Sequence, residues 1–176
     1  AEPAPEGLEP RFSEWILRRA RREPAAYIVG NREFWGLDFR VTSDVLIPRP
    51  ESEFIIEESL AILRTLKLTS PRLADIGTGS GCLAVTLALE LPSAQVTATD
   101  ISADALTIAR GNAAAHQVGG RVSFVETSYL TGIAGAFDVI VSNPPYVRDI
   151  DAPTLAPEVR DHEPRLALDA GDDALR

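Results

Sequence analysis

Three groups of residues in this 176-residue chain could do chemistry together. The first is Asp75-Ile76-Gly77-Thr78-Gly79-Ser80-Gly81, where glycines at alternate positions allow a tight turn and let a ligand approach the backbone closely. Its spacing is GxGxG. A dinucleotide loop calls for GxGxxG, and Cys82 stands where the third glycine would be, so the pattern points away from NAD. The second group is Asp100, 19 residues beyond Gly81, where a carboxylate can accept hydrogen bonds from both hydroxyls of a ribose. By itself Asp100 would also serve as an acidic residue facing a helix N-terminus. Loop and carboxylate together predict a nucleoside ligand. The third group is Asn143-Pro144-Pro145-Tyr146. Its prolines fix φ, remove two backbone donors and hold Asn143 and Pro144 extended. The Asn143 side-chain carbonyl and the Pro144 backbone carbonyl then form a pair of acceptors suited to an NH2 group, and Tyr146 offers a flat face to a planar substrate. A Gly-rich turn can lack a ligand and Asn-Pro-Pro can simply end a strand, but their convergence on one crevice is read as a site.

The surrounding pattern says which elements must bring these residues together. Leu73–Ile76, Gln95–Asp100, Val122–Val125 and Phe137–Val141 read as strands, the last apolar enough for burial on both faces. Helices are predicted over Cys82–Leu91 and over Ala103–Gln117, the second capped by Ser102. Strands alternating with helices imply an α/β fold: a parallel, Rossmann-like sheet with right-handed crossovers and a ligand crevice at the carboxyl ends of its strands. Ahead of it, a helix capped by Ser13 carries Trp15, Ile16 and Ala20, and the Arg18–Arg22 cluster reads as a solvated helix face. Residues 25–47 suit a small hairpin, and Phe54, Ile55, Leu60, Leu63 and Leu66 mark the apolar stripe of a helix over 51–67. Residues 1–10, rich in Pro and Glu, read as disordered or linker, and 147–176 shows no closing element. The domain division read from this is 1–50, a helical remnant and hairpin linker, and 51–176, the catalytic domain.

Composition narrows the classes of function. Seventeen basic and 26 acidic side chains give a net charge of −9, which argues against an extended nucleic-acid track. Sixteen of the cations are arginines. One cysteine excludes an internal disulfide, and one Cys with two separated His argues against structural zinc, so no metal is expected. Cys82 is read as packing at a helix start, His116 as a solvated helix residue and His162 as a loop residue. No 18-residue apolar run and no signal pattern is present, so the expectation is a cytoplasmic protein without a membrane span. The chain has no methionine even at position 1, so it is expected to begin inside a longer product or to have been trimmed.

Residues 73–146 resemble a class I S-adenosylmethionine-dependent methyltransferase, with Asn143-Pro144-Pro145-Tyr146 as the signature of members that methylate planar nitrogens. Three segments ahead of them sharpen the resemblance: Pro24–Gly30, Glu33-Phe34-Trp35 and Leu46-Ile47-Pro48-Arg49-Pro50-Glu51-Ser52-Glu53. With Glu158-Val159, Glu163-Pro164 and Ala167-Leu168, they are similar to the HemK/PrmC family, the glutamine-N5 methyltransferases of peptide chain release factors. The chain departs from that family at Ser128-Tyr129, which lacks a neighbouring carboxylate, at His162, where an aromatic is usual, and at Ala174 after Asp173, where glycine is usual.

The resemblance implies methyl transfer from S-adenosylmethionine to a glutamine amide in the Gly-Gly-Gln motif of a release factor. It implies that Gly77, Thr78, Gly79, Ser80 and Gly81 hold the methionine portion of the cofactor, Asp100 the ribose, and Tyr129 the adenine. Asp75 orders the loop or meets the cofactor's amino group. Asn143, Pro144, Pro145 and Tyr146 carry the catalysis, with Asn143 also lining the cofactor's methyl end. The sheet order implied is 3-2-1-4, with later strands of the family expected downstream or a partner expected to cover the apolar edge of strand 4. Two other readings use the same residues: an RNA or DNA exocyclic-amine methyltransferase, and a chain that binds cofactor or partner without turnover. The oligomeric state has no signal in the sequence.

Overall fold

The computed structural model describes residues 8–171. Helix α1 (Leu8–Ala20) already runs through Ser13, so Ser13 is an interior residue and not a cap. Pro24 starts a short helix, α2 (Ala25–Val29), its carbonyl accepting from the amides of Tyr27 and Ile28. Gly30, left-handed at φ 81°, closes that helix, so only the middle of the 25–47 run forms the hairpin. Strands β1 (Asn31–Phe34) and β2 (Leu37–Arg40) pair antiparallel across Trp35-Gly36. Both turn residues have positive φ, as a two-residue hairpin of this hand requires. The Trp35 amide donates to Glu53 Oε1 at 2.9 Å, which ties the turn to the next helix.

That helix, α3 (Glu53–Leu66), follows a 3-10 turn at Pro50–Ser52. Its buried face is Ile56, Ser59, Leu60 and Leu63, rotated from the stripe expected, and Phe54 and Leu66 point to solvent. Leu60 and Leu63 are buried as expected and Ile55 packs beside them; Ser59 joins this face because it spends its hydroxyl on the Ile55 carbonyl at 2.6 Å and so behaves as a core residue.

From here strand and helix alternate: β3 (Arg72–Ile76), α4 (Cys82–Glu90), β4 (Gln95–Asp100), α5 (Ala103–Ala115), β5 (Val122–Glu126) and β6 (Val139–Ser142). The four strands pair parallel in the order β5-β4-β3-β6, the 3-2-1-4 order expected. Helix α4 is apolar around its circumference because the sheet, α3 and α5 surround it, burying Leu83 through Ala88. Phe34 and Phe39 of the hairpin join the same apolar cluster as Leu73, Leu87 and Val96. Removing side chains of this size from water contributes about 1.5–3 kcal/mol each.

Strand β6 departs from expectation. Val141 is buried, but Ile140 on the opposite face is 52% exposed, because no described element covers it. Beyond it, 147–171 is more ordered than its composition suggested. Val147 bridges in parallel to Asp169, its amide donating to the Leu168 carbonyl at 3.0 Å, and Pro157 opens a short helix, α6 (Pro157–His162). His162 thus ends a helix, with its Nε2 at 3.1 Å from the Arg21 carbonyl. His116 is half-buried against Phe39 with Nε2 at 2.8 Å from the Asp38 carbonyl, so it is not a solvated residue. The arginine cluster is not simply solvated either: Arg18 pairs with Glu23, and Arg19 and Arg22 both reach Glu158 of α6. Asp173 and Ala174 lie outside the described residues, as do residues 1–7 of the expected linker. No helix among the described residues is long and apolar enough to cross a membrane.

Candidate functional site

Strand register sets the site. Ile76 of β3 lies opposite Thr99 of β4 on one side and Ser142 of β6 on the other, and Asp100 lies opposite Glu126 of β5. The residues that follow these positions, Gly77, Asp100, Tyr129 and Asn143, therefore leave the sheet along one carboxyl edge. Ser142 Oγ donates to the Ile76 carbonyl at 2.8 Å, fastening the exits of β3 and β6 to each other.

The glycine loop is held by its own hydrogen bonds. The amides of Gly77 and Thr78 both donate to the Thr99 carbonyl at 2.9 Å. The Gly79 amide donates to Asp100 Oδ2 at 2.9 Å and the Gly81 amide to the Thr78 carbonyl at 2.8 Å. With these four of its five amides spent, the loop offers fewer donors than a phosphate cradle, which needs free amides aimed at the ligand. It can still present carbonyls and close backbone contact to an uncharged or cationic group. Gly79 sits at φ 53° with open space where a Cβ would be, whereas a Cβ on Gly81 would come within 3.0 Å of the Ala109 Cβ on α5.

Beneath the loop, Asp75 is buried. Its Oδ2 accepts from Thr78 Oγ1 at 2.6 Å and from the Ala84 amide at 3.2 Å, and its Oδ1 has no partner. Burial pushes this carboxyl up to about 6, against the opposing pull of the Thr78 and Ala84 hydrogen bonds. With its unpartnered oxygen enclosed, Asp75 acts as a post beneath the loop, and a loop with most of its amides already bonded disfavours a phosphate-bearing ligand. Asp100 is partly exposed, and its Oδ1 accepts from the Ser102 amide at 3.0 Å. Each oxygen thus has one loop or turn partner and a lone pair to spare. Ser102 caps α5 as expected, accepting from the Ala105 amide at 3.1 Å.

Tyr129 stands at the rim, 59% exposed and at φ 53°, and Tyr146 is 70% exposed. Asn143 and Pro145 are half-buried and Pro144 is exposed. Cys82 is half-buried, and burial pushes its thiol up to about 12, so it has no thiolate chemistry near neutral pH.

Several residues that sequence spacing left without a role converge here. Asn143 Nδ2 donates to Ser52 Oγ at 3.2 Å, across 91 positions of sequence. Buried Asn112 of α5 donates to the Ser80 carbonyl at 2.8 Å and also bonds the Arg40 backbone through both ends of its amide, joining the loop to the hairpin. Glu163, with a side chain only 1% exposed, accepts from Arg49 at 2.6 Å and from the Ile47 amide at 3.3 Å. The segments 46–53 and 158–168 are thus two sides of one clamp behind the tetrad. Ser52 and Glu163 could have been found by their place inside segments already singled out by motif, whereas Asn112 lies in none of them; the pairing of all three is long-range and leaves no local periodicity.

Comparison with known proteins agrees with this layout. The chain is 48% identical over 164 residues to the release factor glutamine methyltransferase of Bradyrhizobium diazoefficiens, covering 93% of the chain and 55% of that protein. It is 49% identical over 165 residues to the same-named protein of Chlorobaculum tepidum, covering 89% of the chain and 56% of that protein. The similarity expected from the motifs is therefore present, and the chain spans little more than half the length of these relatives. Among solved structures, the hMettl16 catalytic domain, determined in complex with a MAT2A 3'UTR hairpin, superposes with a TM-score of 0.58. At 18% identity, with 97% of this chain and 67% of that chain covered, it shows the shared fold. Residues 57–159 match the methyltransferase small domain model, and the chain belongs to that family.

Proposed function

We propose that this chain carries the site for transfer of a methyl group from S-adenosylmethionine to the side-chain amide nitrogen of a glutamine, in the Gly-Gly-Gln motif of a peptide chain release factor. The observation that carries the reading is the shared carboxyl edge: Asn143 and Pro144 leave β6 next to the point where the glycine loop leaves β3, with Ser142 Oγ fastening the two exits to each other. The names of the relatives support the choice of a release factor as substrate. Residues 51–176 are taken as the methyltransferase domain, with 1–50 as its N-terminal attachment.

When bound, S-adenosylmethionine supplies an electrophilic methyl group on a sulfonium. Gly77, Thr78, Gly79, Ser80 and Gly81 hold the methionine portion, supported by the fit between carbonyl-rich backbone and a cationic amine. Asp75 orders the loop through Oδ2 from its buried place beneath it. Asp100 takes the ribose hydroxyls with its remaining lone pairs, and Tyr129 borders the adenine. A glutamine amide nitrogen is a poor nucleophile because its lone pair is delocalised into the carbonyl. Asn143 Oδ1 and the Pro144 carbonyl accept its two N–H groups, turn the lone pair toward the methyl carbon and stabilise positive charge as it develops on nitrogen. Pro145 keeps the Pro144 carbonyl in place and Tyr146 packs on the amide plane. No base is needed before transfer; the nitrogen sheds its proton afterwards.

The test is a transfer assay with labelled cofactor, offering the protein a release factor, that factor with Gln→Ala in Gly-Gly-Gln, and ribosomal RNA side by side. Label on the parent factor alone is expected. Label on RNA and not on the factor would transfer the assignment to an exocyclic-amine methyltransferase.

A further inference from the structure

We propose that Asn112 is a positioning residue for the cofactor, locking one peptide unit of the glycine loop so that the unit before it stays presented to the methionine portion of S-adenosylmethionine. The proposal rests on the placement of the cofactor at the loop given above and adds a side chain from α5.

The peptide units of the loop differ in how they are bonded. The Ser80–Gly81 unit is held at both ends: the Gly81 amide donates to the Thr78 carbonyl at 2.8 Å, and the Ser80 carbonyl accepts from Asn112 Nδ2 at 2.8 Å. Among the described residues, the Gly79–Ser80 unit before it has a hydrogen-bond partner at neither end. Nothing lies within 4 Å of a Cβ built on Gly79, so this free unit borders open space. Its carbonyl suits an ammonium group and its amide a carboxylate, the two polar groups of a methionine end.

The backbone alone does not hold this arrangement. Glycine accepts either sign of φ, so at Gly81, with φ 80°, a flip of the Ser80–Gly81 unit meets little conformational resistance. Helix α4 does not prevent it either. The Ser80 carbonyl stands where it would accept from the Ala84 amide in a regular helical turn, but that amide goes to Asp75 Oδ2 at 3.2 Å. Asn112 supplies the missing donor, and its orientation is fixed by groups of one polarity. The Arg40 amide can only donate and takes Oδ1 at 2.9 Å; the Ser80 and Arg40 carbonyls can only accept and take Nδ2 at 2.8 and 3.1 Å. Arg40 is free to anchor it because the next amide, of Val41, donates across to the Gly30 carbonyl, and strand alternation turns the Arg40 amide and carbonyl to the other side. Asn112 is 2% exposed, so water does not compete for these bonds.

The experiment compares Asn112→Ala, Asn112→Asp and Ile108→Val in the full chain. S-adenosylhomocysteine affinity is read by calorimetry below every melting transition, beside thermal melting and kcat for methyl transfer to the release factor at saturating cofactor. Asn112→Asp keeps an acceptor for the Arg40 amide and loses the donor to Ser80, so it separates the loop contact from the hairpin contact. Ile108→Val trims a buried residue of the same helix that packs with Tyr27 and Val41. Both Asn112 variants are expected to weaken S-adenosylhomocysteine about tenfold, the scale of one lost hydrogen bond, with kcat within about twofold of the parent. Ile108→Val is expected to lower melting and leave affinity unchanged. Parental affinity in Asn112→Asp overturns the proposal, because the hairpin contact is then the whole role. Equal losses of affinity and kcat overturn it too, as does a comparable affinity loss in Ile108→Val, which would make affinity a consequence of stability. One measurement needs no variant to fold: the 15N signal of the Asn112 side-chain amide in the parent is expected to shift as S-adenosylhomocysteine saturates it. An unmoved signal in a parent that binds removes this inference alone, whereas a parent that binds no S-adenosylhomocysteine removes the cofactor placement and the inference with it.

Discussion

The glycine loop and the Asn-Pro-Pro-Tyr tetrad sit on neighbouring strands, yet they are held in place by different means. The loop is secured mostly by partners within about one strand-helix unit: Thr78 to Asp75, Asp75 to Ala84, and Gly77, Thr78 and Gly79 to the end of the adjacent strand, with Asn112 of α5 adding a longer tie to the Ser80 carbonyl. The tetrad is secured from far along the chain, by Ser52 ahead of it and by the Arg49–Glu163 pair and the Val147–Asp169 bridge behind it. A site half built from local signals and half from distant ones should lose its two capacities separately. Damage to the loop side should show as lost cofactor binding, and damage to the tetrad side as lost turnover.

The largest expected separation comes from Asn143→Ala. It removes an acceptor and leaves both prolines and the loop untouched, so turnover at saturating cofactor should fall by about 10² or more while melting and S-adenosylhomocysteine affinity change little. Near-parental turnover would reduce the tetrad to a strand terminator, and a collapsed melting transition would make Asn143 structural. Next is Asp100→Ala, on the loop side. It should weaken S-adenosylhomocysteine by about 1–3 kcal/mol in calorimetry, the scale of lost charge-assisted hydrogen bonds. Unchanged affinity would leave Asp100 with only its Gly79 and Ser102 partners to explain it.

Glu163→Gln keeps an acceptor for Ile47 and removes the charge facing Arg49. Because Arg49 is 31% exposed, the cost should be about 2 kcal/mol by denaturant titration, less than for a fully buried pair, and kcat should suffer more than cofactor affinity. Equal losses in both would break the division between the two halves. The smallest effect at any one pH step belongs to Asp75, whose contribution is spread over about two pH units. Burial raises its carboxyl from an ordinary 3.8 to about 6, so the folded state holds that proton more tightly than the unfolded chain. That contribution is present in full below the ordinary value and is lost as pH rises through about 6. Denaturant titrations across this window should show the parent losing up to about 3 kcal/mol relative to Asp75→Asn, and parallel pH curves would show that the carboxyl is not the group responsible.

The same contrast explains what could be read from the sequence. The strands themselves, the α5 cap at Ser102 and the loop after β3 were legible because each depends on residues a few positions apart: apolar runs of strand length, a serine before a helix, glycines after a strand; the 3-2-1-4 order followed instead from the family resemblance. The buried face of α3 was legible at Leu60 and Leu63 but not at Ser59, which satisfies itself on its own helix, because polarity by residue type cannot register an internal hydrogen bond. The 25–29 helix was absorbed into a hairpin because a five-residue helix between Pro24 and Gly30 offers too few positions for a period to register. Ile140 was expected to be buried from its apolarity alone, which carries no information about whether anything lies above it. Ser52, Asn112 and Glu163 were out of reach for a different reason: each acts across at least 32 positions, and sequence spacing says nothing about such a pair until the fold has closed it.

The contact between Gly81 and α5 bears on how tolerance to substitution should be read along the loop. Any Cβ at position 81 meets the Ala109 Cβ at 3.0 Å and its Cα at 3.2 Å, so even a version of this chain with no appetite for a nucleoside would still need glycine there to seat α4 against α5. At Gly79 no neighbour lies within 4 Å, and an added methyl meets only the strain of its backbone conformation. In a saturation screen scored once for folded abundance and once for ligand retention, intolerance at 81 should appear in both scores, while intolerance at 79 should concentrate in the second. An invariant glycine at the first position therefore records how two helices pack, and only the other one can report that something small comes to rest against the backbone.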